Sequence, residues 1–181
     1  MNIALYRPAT PDEFLAWERR QELRYEFDGT QPVAMTGGTV AHSMIATNLV
    51  RALEDALRGK PCRAFRGDLK ILAAGRVRYP DAMVTCTPVT PDADVVPDPV
   101  VVFEVLSAST ASTDRIENEE YRATPSIRRY VMLEQTRAAA TVFCRAGEDW
   151  AGHVLTGDAV LAMPEIGVEL MLSGLYAGLD R

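Results

Sequence analysis

The chain is 181 residues long, 48% hydrophobic and 24% charged, with a formal net charge of −6. That balance excludes both a disordered polymer and a membrane protein, and it argues against broad electrostatic adhesion to nucleic acid while leaving room for a local basic surface. A chain of this size buries a core without covalent staples, so one domain over residues 1–181 is expected, with a helical segment at 1–22 and the core at 23–181.

No apolar run approaches the length of a bilayer span, and MNIALYRPATPDE lacks the basic region and long apolar segment of a signal peptide, so a cytoplasmic protein is expected. Cys62, Cys86 and Cys144 form no CxxC pair, which speaks against a zinc site or a disulfide framework and predicts reduced core thiols. Of 19 cationic residues 17 are arginine, and the lysines are Lys60 and Lys70.

Thr10 and Glu13 form a capping box around Pro11, and Phe14 and Trp17 share one face, so a short helix opens the chain. RYEF and PVAMT, joined through Asp28 and Gly29, predict a tight β-hairpin, closed by Gly37 and Gly38. From about Val40 to Leu57, Ile45, Leu49, Leu53 and Leu57 recur every four residues with charged residues on other faces, the clearest helical pattern in the chain. CRAFR, DLKIL and VRYPDAMVTC follow as three β-like runs, and the proline- and aspartate-rich stretch 87–99 predicts a surface loop. VVVFEVL has the continuous apolar character of a strand covered on both faces. SASTAST then supplies N-caps for a helix from about Ala111 to Tyr121, with Pro125 marking its end. RRYVMLEQ, AATVFCR and GHVLTG are strands, and LSGLYAGL is a short helical turn. The sum is a mixed α/β or α+β layer fold, with helices against a central sheet.

Two carboxylates interrupt strands patterned for burial, Asp81 in VRYPDAMVTC and Glu104 in VVVFEVL. A buried carboxylate is costly unless a cation, a proton or a set of donors compensates it. Two acids on neighbouring core strands suit Mg²⁺, which prefers hard oxygen ligands and is held by one or two carboxylates plus water and substrate phosphate oxygens. Such an ion polarises a phosphoryl oxygen and activates water, which points to phosphodiester hydrolysis. The pattern also allows each acid to pair with an arginine, for instance Arg78 or Arg129, in a structural network.

These residues, with others in order along the chain, resemble the Uma-two family of restriction endonucleases within the PD-(D/E)xK nuclease superfamily. The resemblance is carried by Tyr25-Glu26-Phe27-Asp28-Gly29, His42 opening a helix, Tyr79-Pro80-Asp81, Glu104-Val105-Leu106-Ser107, Ser109-Thr110, Asp114, Tyr121 and Arg129-Tyr130-Val131. It implies a restriction-endonuclease-like mixed central sheet flanked by helices, and metal-dependent DNA cleavage with Mg²⁺ as cofactor and Mn²⁺ as substitute. By position it makes Asp81 and Glu104 metal ligands, with Glu26 as a third carboxylate or as the residue orienting a metal-bound water. Glu26 also suits an exposed strand position paired with Arg24.

The chain departs from the family pattern at its cation. The superfamily lysine two residues after the glutamate is replaced by Leu106, and the family lysine on the following helix is replaced by Asn118. Asparagine donates a hydrogen bond but brings no charge to orient water or steady the phosphate. If DLKIL and VRYPD pair as a hairpin, Lys70 faces Asp81 and is the candidate substitute; a solvated strand lysine is the competing reading. Arg78, Arg115 and Arg122 are candidate phosphate-binding residues, and a basic rim requires Arg63, Arg66, Arg76, Arg128 and Arg129 to converge with them. A lone histidine at the start of a helix is expected to pack and to bond the backbone, so His42 is assigned a structural role. The expected activity is DNA hydrolysis; the competing class is a degenerate nuclease fold kept as a nucleic-acid or protein binding module. Edge strands in a sheet of this size need covering, so a homodimer is expected.

Overall fold

The computed structural model describes residues 8–35, 37–106 and 113–179, with the side chains of residues 113–117 outside that description. Helix α1 (Pro11–Glu18) begins where the capping box predicts, with the Thr10 side chain accepting from the Glu13 amide. Strands β1 (Tyr25–Phe27) and β2 (Pro32–Ala34) form the expected hairpin. At its turn Gly29 takes a positive φ, while Asp28 Oδ1 accepts from the amides of Thr30 and Gln31. Helix α2 (Val40–Ala56) is capped by Thr39, whose side chain accepts from the His42 amide.

Then come β3 (Arg63–Arg66), β4 (Ile71–Ala73), β5 (Arg76–Arg78), β6 (Ala82–Thr85), β7 (Pro99–Leu106), α3 (Thr113–Ala123), β8 (Arg129–Glu134) and β9 (Ala139–Ala146). Strands β10 (Asp149–Thr156), β11 (Val160–Met163) and β12 (Val168–Met171) lead into a 3₁₀ turn at Leu172–Tyr176. The main sheet is mixed, in the order β10-β9-β8-β7-β6-β3, with β7 and β8 parallel across the α3 connection and the other neighbours antiparallel. A four-stranded sheet, β2-β1-β5-β4, stands beside it. This is the mixed α+β architecture expected.

Alternation along the main sheet sends apolar side chains to two cores. Ala82, Val84, Val101, Phe103 and Val105 pack under α2, whose Ile45, Leu49 and Leu53 are fully buried. Met83, Val102, Tyr121, Ile127 and Tyr130 form the opposite core beneath α3. Period-two alternation therefore puts Glu104, next to Phe103, on the α3 face.

Four expectations need correction. VRYPDAMVTC is two strands, not one: β5 belongs to the small sheet and β6 to the main sheet, and the chain changes sheet at Tyr79-Pro80-Asp81. Pro80 lacks the N–H needed to continue a ladder, which suits it to the crossing. The β11–β12 hairpin is not evident in the sequence, because two four-residue runs flanking Pro164 to Gly167 are too short to show their period; Leu161, Met163, Val168 and Leu170 are nevertheless buried against the α2 core. The stretch after β6 is more than a surface loop: Val96 is buried, and Lys70 exchanges main-chain hydrogen bonds with Asp94 and Val96. Finally, Cys62 and Cys86 are joined in a disulfide, and Cys144 is the free cysteine. Antiparallel pairing of Arg63 with Thr85 makes Cys62 and Cys86 the next cross-strand pair, their Cα atoms 3.9 Å apart. The SASTAST caps at Ser107 to Ser112 lie outside the described residues.

Candidate active site

The sheet crossing delivers Asp81 to the mouth of the main sheet, between the end of β3 and the end of β7. Its Oδ2 accepts a hydrogen bond from the Val105 amide at 2.7 Å, and its own amide donates to Glu104 Oε2 at 3.4 Å. Tyr121, fully buried on α3, donates its hydroxyl to Glu104 Oε1 at 2.9 Å. The two acids are thus brought together from neighbouring strands, as their positions in the sequence predict.

The second contact of Asp81 Oδ2 is His42 Nε2 at 3.0 Å. A carboxylate carries no proton to share, so Nε2–H is the donor. Asp81's hydrogen bond, set against partial burial, holds the His42 pKa above its ordinary value. Reading His42 as a packing residue missed this contact. The available signal was its place in the first turn of α2 after Gly37-Gly38: a Cβ on Gly38 would lie 2.9 Å from His42 Nδ1, so that glycine makes room for the ring. Thr39 donates its hydroxyl to Gln135 Oε1, and Gln135 donates to the Leu106 carbonyl at 2.8 Å, which ties the start of α2 to the end of β7.

Asp81 and His42 line a cleft of about 590 Å³ between α2 and the end of β3, with Arg51, Arg66 and Gly67 also on its walls. Gly67 packs closely there, since a Cβ would lie 3.3 Å from the Pro80 carbonyl oxygen.

The other expected site residues lie elsewhere or are occupied. Glu26 accepts from the Tyr79 amide at 3.0 Å through Oε1 and pairs through Oε2 with Arg78 at 3.2 Å. Burial, only partly offset by those donors, raises its pKa. Both oxygens are committed to holding the small sheet to the crossing. Arg78 is buried and forks onto both oxygens of Glu120 at 2.8 Å, so it serves a structural network and not a phosphate. Lys70 is also buried, its ammonium 3.0 Å from Glu18 and 3.1 Å from Asp94; β4 and β5 pair as the expected hairpin, but the chain leaves that sheet at Tyr79-Pro80-Asp81, so the pairing does not carry Lys70 to Asp81. Lys60 donates to the Gly167 carbonyl, so both lysines of the chain are engaged away from the acid pair. Asn118 is partly buried, with its Oδ1 lacking a hydrogen-bond partner among the described residues. Arg122 is exposed on α3, and the side chain of Arg115 lies outside the described residues.

Nor do the arginines converge. Arg76 pairs with Glu120 and Arg129 with Glu165, while Arg63 donates to the carbonyls of Lys60 and Cys62. Arg66 reaches the cleft, joined by Arg51 from α2, off the apolar face of that helix.

Among the described residues no three His, Cys, Asp or Glu side chains cluster closely enough to cage a metal ion. A structural zinc site is therefore a poor match. The two oxygen donors, Asp81 and Glu104, fit Mg²⁺ or Mn²⁺, which complete their shells with water and phosphate oxygens. No helix among the described residues is long and apolar enough to cross a membrane.

Comparison with known proteins places this geometry in context. The family model Uma2, described as "Putative restriction endonuclease", matches residues 11–173. An uncharacterized protein of Synechocystis sp., slr1290, is 30% identical over 175 residues, covering 94% of this chain and 92% of its own. The crystal structure of a protein from Anabaena variabilis, described as a "putative nuclease belonging to DUF820", superposes with a TM-score of 0.77 at 19% identity, covering 96% of this chain and all of the other.

Proposed function

The chain belongs to the Uma2 family, and from that premise we propose that it is a metal-dependent endonuclease hydrolysing DNA phosphodiester bonds. The observation that carries this reading is the pairing of Asp81 and Glu104 through the Asp81 amide, with Asp81 on the wall of a cleft of about 590 Å³. Asp81 and Glu104 would hold Mg²⁺ or Mn²⁺. When bound, the ion supplies Lewis acidity toward a phosphoryl oxygen and lowers the pKa of water. The chain's own residues supply the frame: the Val105 amide and His42 fix Asp81, and Tyr121 fixes Glu104. Water adds to phosphorus and the bond to the departing deoxyribose oxygen breaks.

Calorimetric titration of Mg²⁺ or Mn²⁺ into wild type and Asp81→Ala, followed by plasmid nicking with the same samples, tests this. Saturable binding and nicking by wild type, both abolished in the variant, are expected. No binding in either protein overturns the metal reading. A homodimer forms part of the proposal, since β10 leaves an exposed eight-residue edge on the main sheet; a monomeric mass by light scattering removes it.

One observation favours a second reading, a degenerate nuclease fold used as a binding module. Both lysines are engaged elsewhere and position 118 is asparagine, so no lysine stands by the acids among the described residues. Metal binding without nicking selects this reading.

A further inference from the structure

The cleft beside Asp81 continues along α2. The lining along the helix falls in two adjacent rows, Thr39-Ser43-Thr47-Arg51 and His42-Ala46-Val50-Glu54, each spaced four apart, so together they form one longitudinal stripe. At that spacing a stripe is ordinarily apolar and faces a core. Here the row from Thr39 to Arg51 carries hydroxyls and a guanidinium throughout, while the row beside it has the apolar Ala46 and Val50 between His42 and Glu54; together they face a groove whose other wall carries Arg66 and Gly67. From Thr39 to Arg51 the stripe runs about 18 Å at helical rise, which matches the axial rise of roughly five nucleotides in one DNA strand.

The two guanidiniums on this groove differ from the arginines that are committed to carboxylates. Arg19, Arg58, Arg76, Arg78, Arg129 and Arg137 are in ion pairs. Arg51 and Arg66 are exposed and make no ion pair among the described residues. Arg66 lies opposite Ala82 in the β3–β6 ladder, one residue from Asp81, while Arg51 lies about 13 Å further along α2 than His42. The positive groups therefore sit at two distances from the acid pair, between Asp81 at one end and Glu54 at the other.

We propose that this groove is the path of one polynucleotide strand, its phosphates held by Arg66 and Arg51 with hydroxyl donors from Ser43 and Thr47. The inference rests on the nuclease reading of the acid pair and deepens it: the substrate is a strand several nucleotides long, and a small phosphate ester leaves most of the groove empty. Arginine suits the task because its planar donors match phosphate oxygens and it remains charged at any working pH.

The test is fluorescence anisotropy of end-labelled single-stranded DNA of 2, 4, 8 and 12 nucleotides, with EDTA present to prevent cleavage. Affinity is expected to rise with length to about five nucleotides and then level. Arg51→Ala and Arg66→Ala should each weaken 12-mer binding about tenfold, and the double variant should lower the salt slope by roughly 1.4, about 0.7 for each single-strand phosphate that no longer has an arginine to neutralise it. Arg63→Ala, whose guanidinium is tied to main-chain carbonyls on the same strand, should bind as wild type does. Unchanged binding by the double variant, equal affinity for the 2-mer and 12-mer, or preference for duplex over single strand each overturns the strand path. Asp81→Ala separates this inference from the hydrolase reading: it should retain strand binding while losing nicking. Wild type that binds through Arg51 and Arg66 but never nicks plasmid overturns the hydrolase and leaves the groove standing. Nicking by wild type, with binding indifferent to both arginines, does the reverse.

Discussion

The amide of Asp81 donates to the carboxylate of Glu104, while the amide of the residue after Glu104 donates back to the carboxylate of Asp81. Each acid is thereby oriented by the other's main chain, so neither can move without disturbing the pair. The proposed metal site, with two carboxylates to hold the ion, requires such mutual orientation.

Tyr121 is the outer support of that pair. Tyr121→Phe keeps the buried ring and removes the hydroxyl that reaches Glu104 Oε1. Mn²⁺ affinity should fall roughly tenfold or more, while stability falls by about 1 kcal/mol. Calorimetry alongside urea unfolding measures both; unaltered metal affinity would show that Glu104 is held without it.

Gly38 sets the position of His42. Alanine at 38 would press its Cβ onto Nδ1 and push the ring from Asp81. With two histidines in the chain, the His42 ring signals are simple to assign by nitrogen-detected NMR. Shifted His42 resonances and at least tenfold weaker nicking are expected, and an unperturbed ring rules out the steric argument.

Arg78 holds the small sheet to α3 through Glu26 and Glu120, with the side chains of Arg78 and Glu120 only 4% and 3% exposed. Arg78→Met leaves Glu120 with Arg76 as its remaining cation and Glu26 with the Tyr79 amide, at a cost of about 3 kcal/mol. The urea midpoint should drop with little change in slope, and Glu120→Gln added to the variant should restore part of that stability. A shift below about 1 kcal/mol would mean that the network is weakly coupled to the fold.

The Cys62–Cys86 bridge closes a loop with a sequence separation of 24. Thiol titration of denatured, unreduced protein should count one thiol per chain, from Cys144, and three after reduction. Chain-entropy reasoning assigns the bridge roughly 3 kcal/mol, so dithiothreitol should lower the unfolding midpoint accordingly. Three thiols in the unreduced sample would discount it.

Much of the local structure was legible because its signals are local. Thr10 to Glu13 started α1, Asp28-Gly29 turned the first hairpin, and the four-residue period of Ile45 to Leu57 marked α2. The two acids stood out for the same reason, as charges in runs patterned for burial. The hairpin at β11–β12 escaped, since four-residue strands carry too few periods to declare themselves.

By itself the sequence determined most of the element types, their apolar faces and the two acids set among buried residues, because each follows from propensity and periodicity within one segment. Only the tertiary structure decided their company. Whether Lys70 or His42 meets Asp81 depends on which sheet each strand joins, and the change of sheet at Tyr79-Pro80-Asp81 sent Lys70 to Glu18 and Asp94 while bringing Asp81 under the first turn of α2. Cys62 and Cys86 were likewise matched by the register of β3 with β6. Contacts between residues 24 to 39 positions apart are set by how sheets pair and pack, and no local pattern encodes that choice.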